Sequence, residues 1–229
     1  MRTKSAVVAA ALGWLVVGVA VGGCSAEGAT TEGPSAKQML DDANDTMKAL
    51  KSVTIDGDIT ETAVSGPFST HLTTDLKGRC AGKTTWDTGA SFEQIRIGAT
   101  AYIRPNRTFL EQDGETVTNA EEYERWVETP VDLVGPELPD CTRPFTSFGK
   151  ATKGQPTKVN GSAAIPLVVT DKEDKEGTYT FYVASEGKPY ILKVVYKGAN
   201  HRSTTTFSAF DKPLDVRAPA KGDLLYEDW

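Results

Sequence analysis

At Val53 the apolar periodicity of this chain changes from that of a helix to that of a strand, and strand patterns then dominate to its end. Upstream, Ala36, Leu40, Ala43, Met47 and Leu50 recur at steps of four, three, four and three, the single stripe of an amphipathic helix. Ser35 stands where a cap belongs, with Gln38 three residues on, so the spacing predicts a helix to about Lys51. The opposite face carries Lys37, Asp41, Asp45 and Lys48. From Val53 apolar and polar residues alternate through Val53, Ile55 and Ile59. After Ser65-Gly66-Pro67 the pattern resumes in Phe68, Thr70, Leu72, Thr74 and Leu76, which predicts a hairpin. Further strands are expected at Lys83 to Thr88, Phe92 to Ile97, Thr100 to Arg104 and Trp126 to Glu128. A short helix is expected at Asn119 to Arg125, and another near Phe145 to Phe148. Between them Pro130 to Pro144 holds four prolines and reads as irregular.

The last third is patterned most clearly. Thr157 to Val159 and Ala163 to Thr170 flank an Asn160-Gly161 turn. Thr178 to Val183, Tyr190 to Lys197 and Ser203 to Phe210 continue a meander. In the second of these, Tyr190, Leu192, Val194 and Tyr196 are expected on one face. One helix followed by strands joined by short turns predicts an α+β fold: a curved antiparallel β-sheet, a half-barrel, crossed by the N-terminal helix and short helical insertions.

Residues 1–23 read as an export signal. Arg2 and Lys4 open it, Ala6 to Gly23 carries no charge, and Val21-Gly22-Gly23-Cys24 closes it with small residues before a cysteine. This ending resembles a lipobox. The resemblance implies that the Cys24 thiol receives a diacylglycerol, that cleavage follows, and that a further acyl group such as palmitate often joins the new amino terminus. Two or more chains give stable anchoring where one is marginal. The alternative is an uncleaved transmembrane helix. Either way the remainder lies on the extracytoplasmic face of the cell membrane. Residues 24–34 then form a small, polar tether, and residues 35–229 a single β-rich domain long enough to bury a core.

The net charge of -6 includes the two cations of the signal, so the remainder is more acidic still. That argues against nucleic acid and against a polybasic grip on anionic lipid. With Cys24 assigned to the anchor, Cys80 and Cys141 remain, and two cysteines in an exported domain usually pair. Two buried free thiols are the alternative. No metal site is expected, since neither cysteine has a CxxC neighbour and the two histidines, His71 and His201, have no ligand spacing. No cofactor motif is present. Ser65-Gly66 and Ser208 lack a nucleophile elbow, and the acidic run Asp171 to Glu176 alternates with lysines as a solvated hairpin tip does. No enzyme chemistry is therefore expected.

The layout as a whole resembles the LolA/LolB-like superfamily, in particular actinobacterial lipoproteins of the LprG/LppX type. The resemblance rests on the lipobox, the polar tether and the helix Asp42-Ala43-Asn44-Asp45-Thr46-Met47-Lys48-Ala49-Leu50-Lys51-Ser52. Three later stretches join it: Lys158-Val159-Asn160-Gly161, Glu186 to Val194, and Phe207 to Pro219. It implies a half-open barrel with helices across its mouth and a hollow that holds acyl chains. The expected function is a non-enzymatic binding or carrier module for a lipid or other hydrophobic molecule. The alternative is an envelope interaction or sensor lipoprotein with a packed core. Inward positions proposed to line a cavity are Leu72, Leu76, Trp86, Ile95, Ile97, Leu167, Val169, Phe181 and Leu192, although a filled core needs the same pattern.

Overall fold

The computed structural model describes residues 33–61, 66–112, 114, 116–119, 123, 125–134, 139–147, 149–170 and 177–225. The expected signal at 1–23, the tether up to residue 32, the acidic tip at 171–176 and most of the expected helix at 119–125 lie outside the described residues.

Helix α1 spans Ala36–Lys48, and Ser35 caps it by accepting the Gln38 backbone N–H on its hydroxyl at 3.1 Å. Twelve strands follow: β1 Val53–Glu61, β2 Phe68–Thr74, β3 Arg79–Trp86, β4 Ser91–Ile97, β5 Thr100–Pro105, β6 Val127–Pro130, β7 Lys150–Lys153, β8 Thr157–Val159, β9 Ser162–Thr170, β10 Thr178–Ala184, β11 Ile191–Lys197 and β12 Arg202–Ser208. A short helix, α2, occupies Arg107–Gln112. Among the described residues all twelve strands form one sheet in the order β6-β5-β4-β3-β2-β1-β12-β11-β10-β9-β7, with β8 also paired to β9. The ladders are antiparallel throughout. Two meanders are thus joined at the centre, where β1 pairs with β12.

The turns explain most departures from the expected boundaries. β2 stops at Thr74 because Asp75 turns the chain: its carboxylate accepts the backbone N–H groups of Lys77 at 2.8 Å and Arg79 at 2.9 Å. Leu76 is therefore a turn residue with φ of 61°, not the end of a strand. Asn160 and Gly161, both at positive φ, make the expected hairpin turn. Helix α2 was not expected; Asn106 caps it by accepting the Phe109 N–H at 2.9 Å. Strand β7 carries no apolar alternation to announce it. The helix expected at Phe145 to Phe148 is not formed over residues 145–147, where the Phe145 ring packs 5.8 Å from that of Phe207, and Phe148 lies outside the described residues.

Side chains alternate across a strand, so the register sorts residues into two faces. The inner face carries α1, which lies on β7, β10 and β11. Leu40, Ala43, Met47 and Leu50 pack there with Val53, Ile55, Leu72, Leu167, Val169, Phe181, Val183, Ile191 and Phe207. Each large stripe residue contributes about 1.5–3 kcal/mol by leaving water. One bulge changes a face assignment. Tyr182 pairs with Lys193 but Val183 pairs with Ile191, so Leu192 is the extra residue. Ile191 joins the helix-side core, and Leu192 packs in a separate cluster with Val159 and Ala164.

Candidate functional site

Cys80 sits on the inner face of β3 and is bonded to Cys141, with their Cα atoms 5.4 Å apart. This pins the proline-bounded segment from Pro139 to Pro144 over the sheet. Further bonds hold it. The Thr74 hydroxyl donates to the Cys141 carbonyl, and the Gln94 amide donates to the Pro139 carbonyl at 2.9 Å. Gln94 is only 1% exposed, and its side-chain oxygen has no partner among the described residues. Farther along, Ser147 accepts from the buried Asn44 of α1 at 2.8 Å, which joins the segment to the helix.

The segment roofs the sheet without filling the space beneath it. A groove of about 470 Å³ remains, lined by Ile55, Thr70 and Leu72 from β1 and β2 and by Pro139, Asp140, Thr142, Arg143 and Pro144 from the roof. Its floor is apolar at Ile55 and Leu72, and its volume falls in the range of about 300–1,000 Å³ typical of small-molecule sites. Toward the far end of β1 and β2 the inner face becomes aromatic. Trp86 packs against Phe68, Phe92 and Phe109 with centroids 5.6–5.9 Å apart. A shallower pocket of about 270 Å³ flanks this cluster, lined by Ile59, Pro67, Phe68 and Trp86 among others.

The nine residues expected to line a cavity do not share one place. Leu72 lines the groove. Trp86 lines the aromatic pocket. Leu167, Val169 and Phe181 are in the solid core under α1, with Leu167 fully buried. Leu76 packs against that core from its turn. Ile95 pairs with Ala81 and Ile97 with Arg79, which puts both on the outer face of the sheet, away from Leu72. There Ile95 borders a second groove of about 400 Å³ with Trp126, Leu214 and Val216. Leu192 lies in the separate cluster behind its bulge.

The outer face explains why Ile95 is apolar. Residues after β12 cross it: the Arg79 guanidinium donates to the Val216 carbonyl, and Trp126 bridges to Leu224. Arg104 then stacks over the Trp126 ring at 4.7 Å. The inward position on β4 instead goes to Gln94, whose amide holds the roof. Of the groove residues, Arg143, Asp140 and the flanking prolines carried no motif. Their one signal was Cys141 in their midst, since its bond to a strand cysteine places the whole run over that strand.

Among the described residues no group of three or more His, Cys, Asp or Glu side chains could hold a metal, and no helix is long and apolar enough to cross a membrane. His71 and Asp56 form an outer-face pair at 2.6 Å. Asp56 pairs across the ladder with His71, and His71 with Lys83, an exposed charged row rather than an enclosed catalytic set.

No family model matches the sequence, and no curated protein matches it. Solved structures do match the fold. LprF from Mycobacterium bovis superposes with a TM-score of 0.59 at 14% identity, over 81% of this chain and 97% of that one. Mycobacterium tuberculosis lipoprotein LppX superposes with a TM-score of 0.54 at 12% identity, over 80% and 98%. The expected resemblance to lipoproteins of the LppX type therefore holds at the level of the fold.

Proposed function

We propose that this chain is an extracytoplasmic lipoprotein, anchored in the cell membrane by acyl groups on Cys24, whose domain holds the acyl part of a lipid or other hydrophobic molecule without altering it. The observation that carries this reading is the groove under the disulfide-pinned roof. Ile55 and Leu72 floor it, and no side chain of the described residues fills it. An apolar floor with Thr70, Asp140, Thr142 and Arg143 on its walls is the mixed lining that suits an amphiphilic guest. Burial there stabilises a bound chain by about 0.8 kcal/mol per methylene. The basic start, the uncharged run and the glycines before Cys24 support the anchored location, as does a fold shared with a protein named as a lipoprotein.

Native mass spectrometry of the chain released gently from membranes tests this. The expected result is a second mass series heavier by one lipid. A single unliganded series, with no uptake from added lipid, overturns the carrier reading.

One observation favours a second reading. Met47, Leu167, Val169 and Val183 fill the sheet under α1, where a larger hollow was expected. A packed domain that binds another envelope protein through its surface fits that half of the molecule, and the same experiment separates the two readings.

A further inference from the structure

One cation on the groove has no counter-charge among the described residues. Arg143 lines the groove, and its guanidinium carbon lies 5.4 Å from the centroid of the Phe207 ring. Among the described residues no carboxylate pairs with it. The nearest acid in the chain, Asp140, is committed elsewhere. Its Oδ1 accepts the Thr142 backbone N–H at 3.0 Å, its Oδ2 accepts the Thr142 hydroxyl at 2.8 Å, and Arg96 lies 3.7 Å from Oδ1.

Arg143 is exposed at the mouth of the groove, and its packing on Phe207 lowers its pKa from the usual arginine value through desolvation. The group stays charged at any physiological pH. The chain is rich in acids, with 31 Asp and Glu residues, but none of the described ones pairs with Arg143. The planar fork of arginine suits a carboxylate or phosphate in two-point contact. The Thr70 hydroxyl, on the facing wall of the same groove, offers a second donor.

We propose that the groove selects an amphiphile with an oxyanion head, carboxylate or phosphate, which pairs with Arg143 while the acyl part lies inward over Ile55 and Leu72. The inference rests on the carrier reading and sharpens it by naming the ligand class.

The test uses the full chain in neutral phosphatidylcholine vesicles, with empty vesicles as background. A dansyl-labelled fatty acid and the matching fatty alcohol are titrated by fluorescence. The acid is expected to bind about tenfold more tightly than the alcohol, the size of one charge-assisted hydrogen bond. Arg143→Gln should abolish that preference, so that acid and alcohol bind equally, and Arg143→Lys should keep part of it. A parallel pair, lysophosphatidic acid against monoacylglycerol as competitors, distinguishes a phosphate head from a carboxylate. Equal affinity for acid and alcohol in the native chain, or a preference that survives Arg143→Gln, overturns the inference and leaves the carrier reading standing. Binding of neither probe nor competitor overturns both.

Discussion

Cys80 and Cys141 are joined where β3 passes beneath the roof segment, with a sequence separation of 61. The bond closes a long loop, and the chain-entropy account gives it about 4 kcal/mol. It also sets the height of the groove, because the roof touches the sheet through Thr74 and Gln94 on either side of it. Thiol counting on the denatured, unreduced protein is expected to find neither Cys80 nor Cys141 free. Reduction should lower the urea midpoint by an amount equivalent to a few kcal/mol. An unchanged midpoint would show that the roof contributes nothing to stability.

The two halves of the inner face should respond oppositely to the same enlargement. Leu167 is fully enclosed, so Leu167→Trp overpacks the core and is expected to cost about 1–3 kcal/mol. Thr70 faces open space, so Thr70→Trp fills the groove and should cost less than about 1 kcal/mol while reducing lipid uptake. Paired thermal melts and lipid-uptake assays on the two variants check this. Equal destabilisation by both would mean that the groove is closed in solution.

Gly82 lies across the ladder from Leu72. A Cβ there would stand 2.5 Å from the His71 carbonyl oxygen and 2.9 Å from a Leu72 methyl. Gly82→Ala must therefore push β3 away from β2 beside the disulfide. The expected loss is about 1–3 kcal/mol, read as a drop in melting temperature. A neutral melt would contradict the closeness of the two strands.

The anchor is tested by Cys24→Ser. The variant is expected to remain an unprocessed precursor without diacylglycerol, visible as a higher mass and a loss of metabolic labelling by palmitate. Normal processing of that variant would leave Cys24 with no role in anchoring.

Much of the fold was legible because its signals are local. The stripe from Ala36 to Leu50 and the Ser35 cap placed α1, and Asn160-Gly161 placed the β8–β9 turn to the residue. Strand faces were less legible. Alternation marks apolar positions but does not say which side of the sheet they face when both sides are covered. Ile95 and Ile97 look inward by composition, yet both face outward, where the chain beyond β12 flanks Ile95. Leu192 was displaced by a bulge that leaves no mark in Tyr190-Ile191-Leu192-Lys193. The groove was illegible for a different reason. It is bounded by a segment with no periodicity, and only the long-range bond to Cys80 gives that segment a position.

The order of strands dictates when the sheet can be completed as the chain is made. β1 is made first among the strands, but its second neighbour, β12, is the last, so Ile55 waits for Phe207 across almost the whole chain. Until then the first meander has an open edge at β1, and the outer side of Ile95 lacks the covering that Leu214 and Val216 later supply. Contacts so distant in sequence form slowly. An unpaired edge of that kind is a template for association with other chains. The most vulnerable period in the life of this protein is therefore the interval between synthesis of β1 and arrival of β12, when a chaperone would have most to protect.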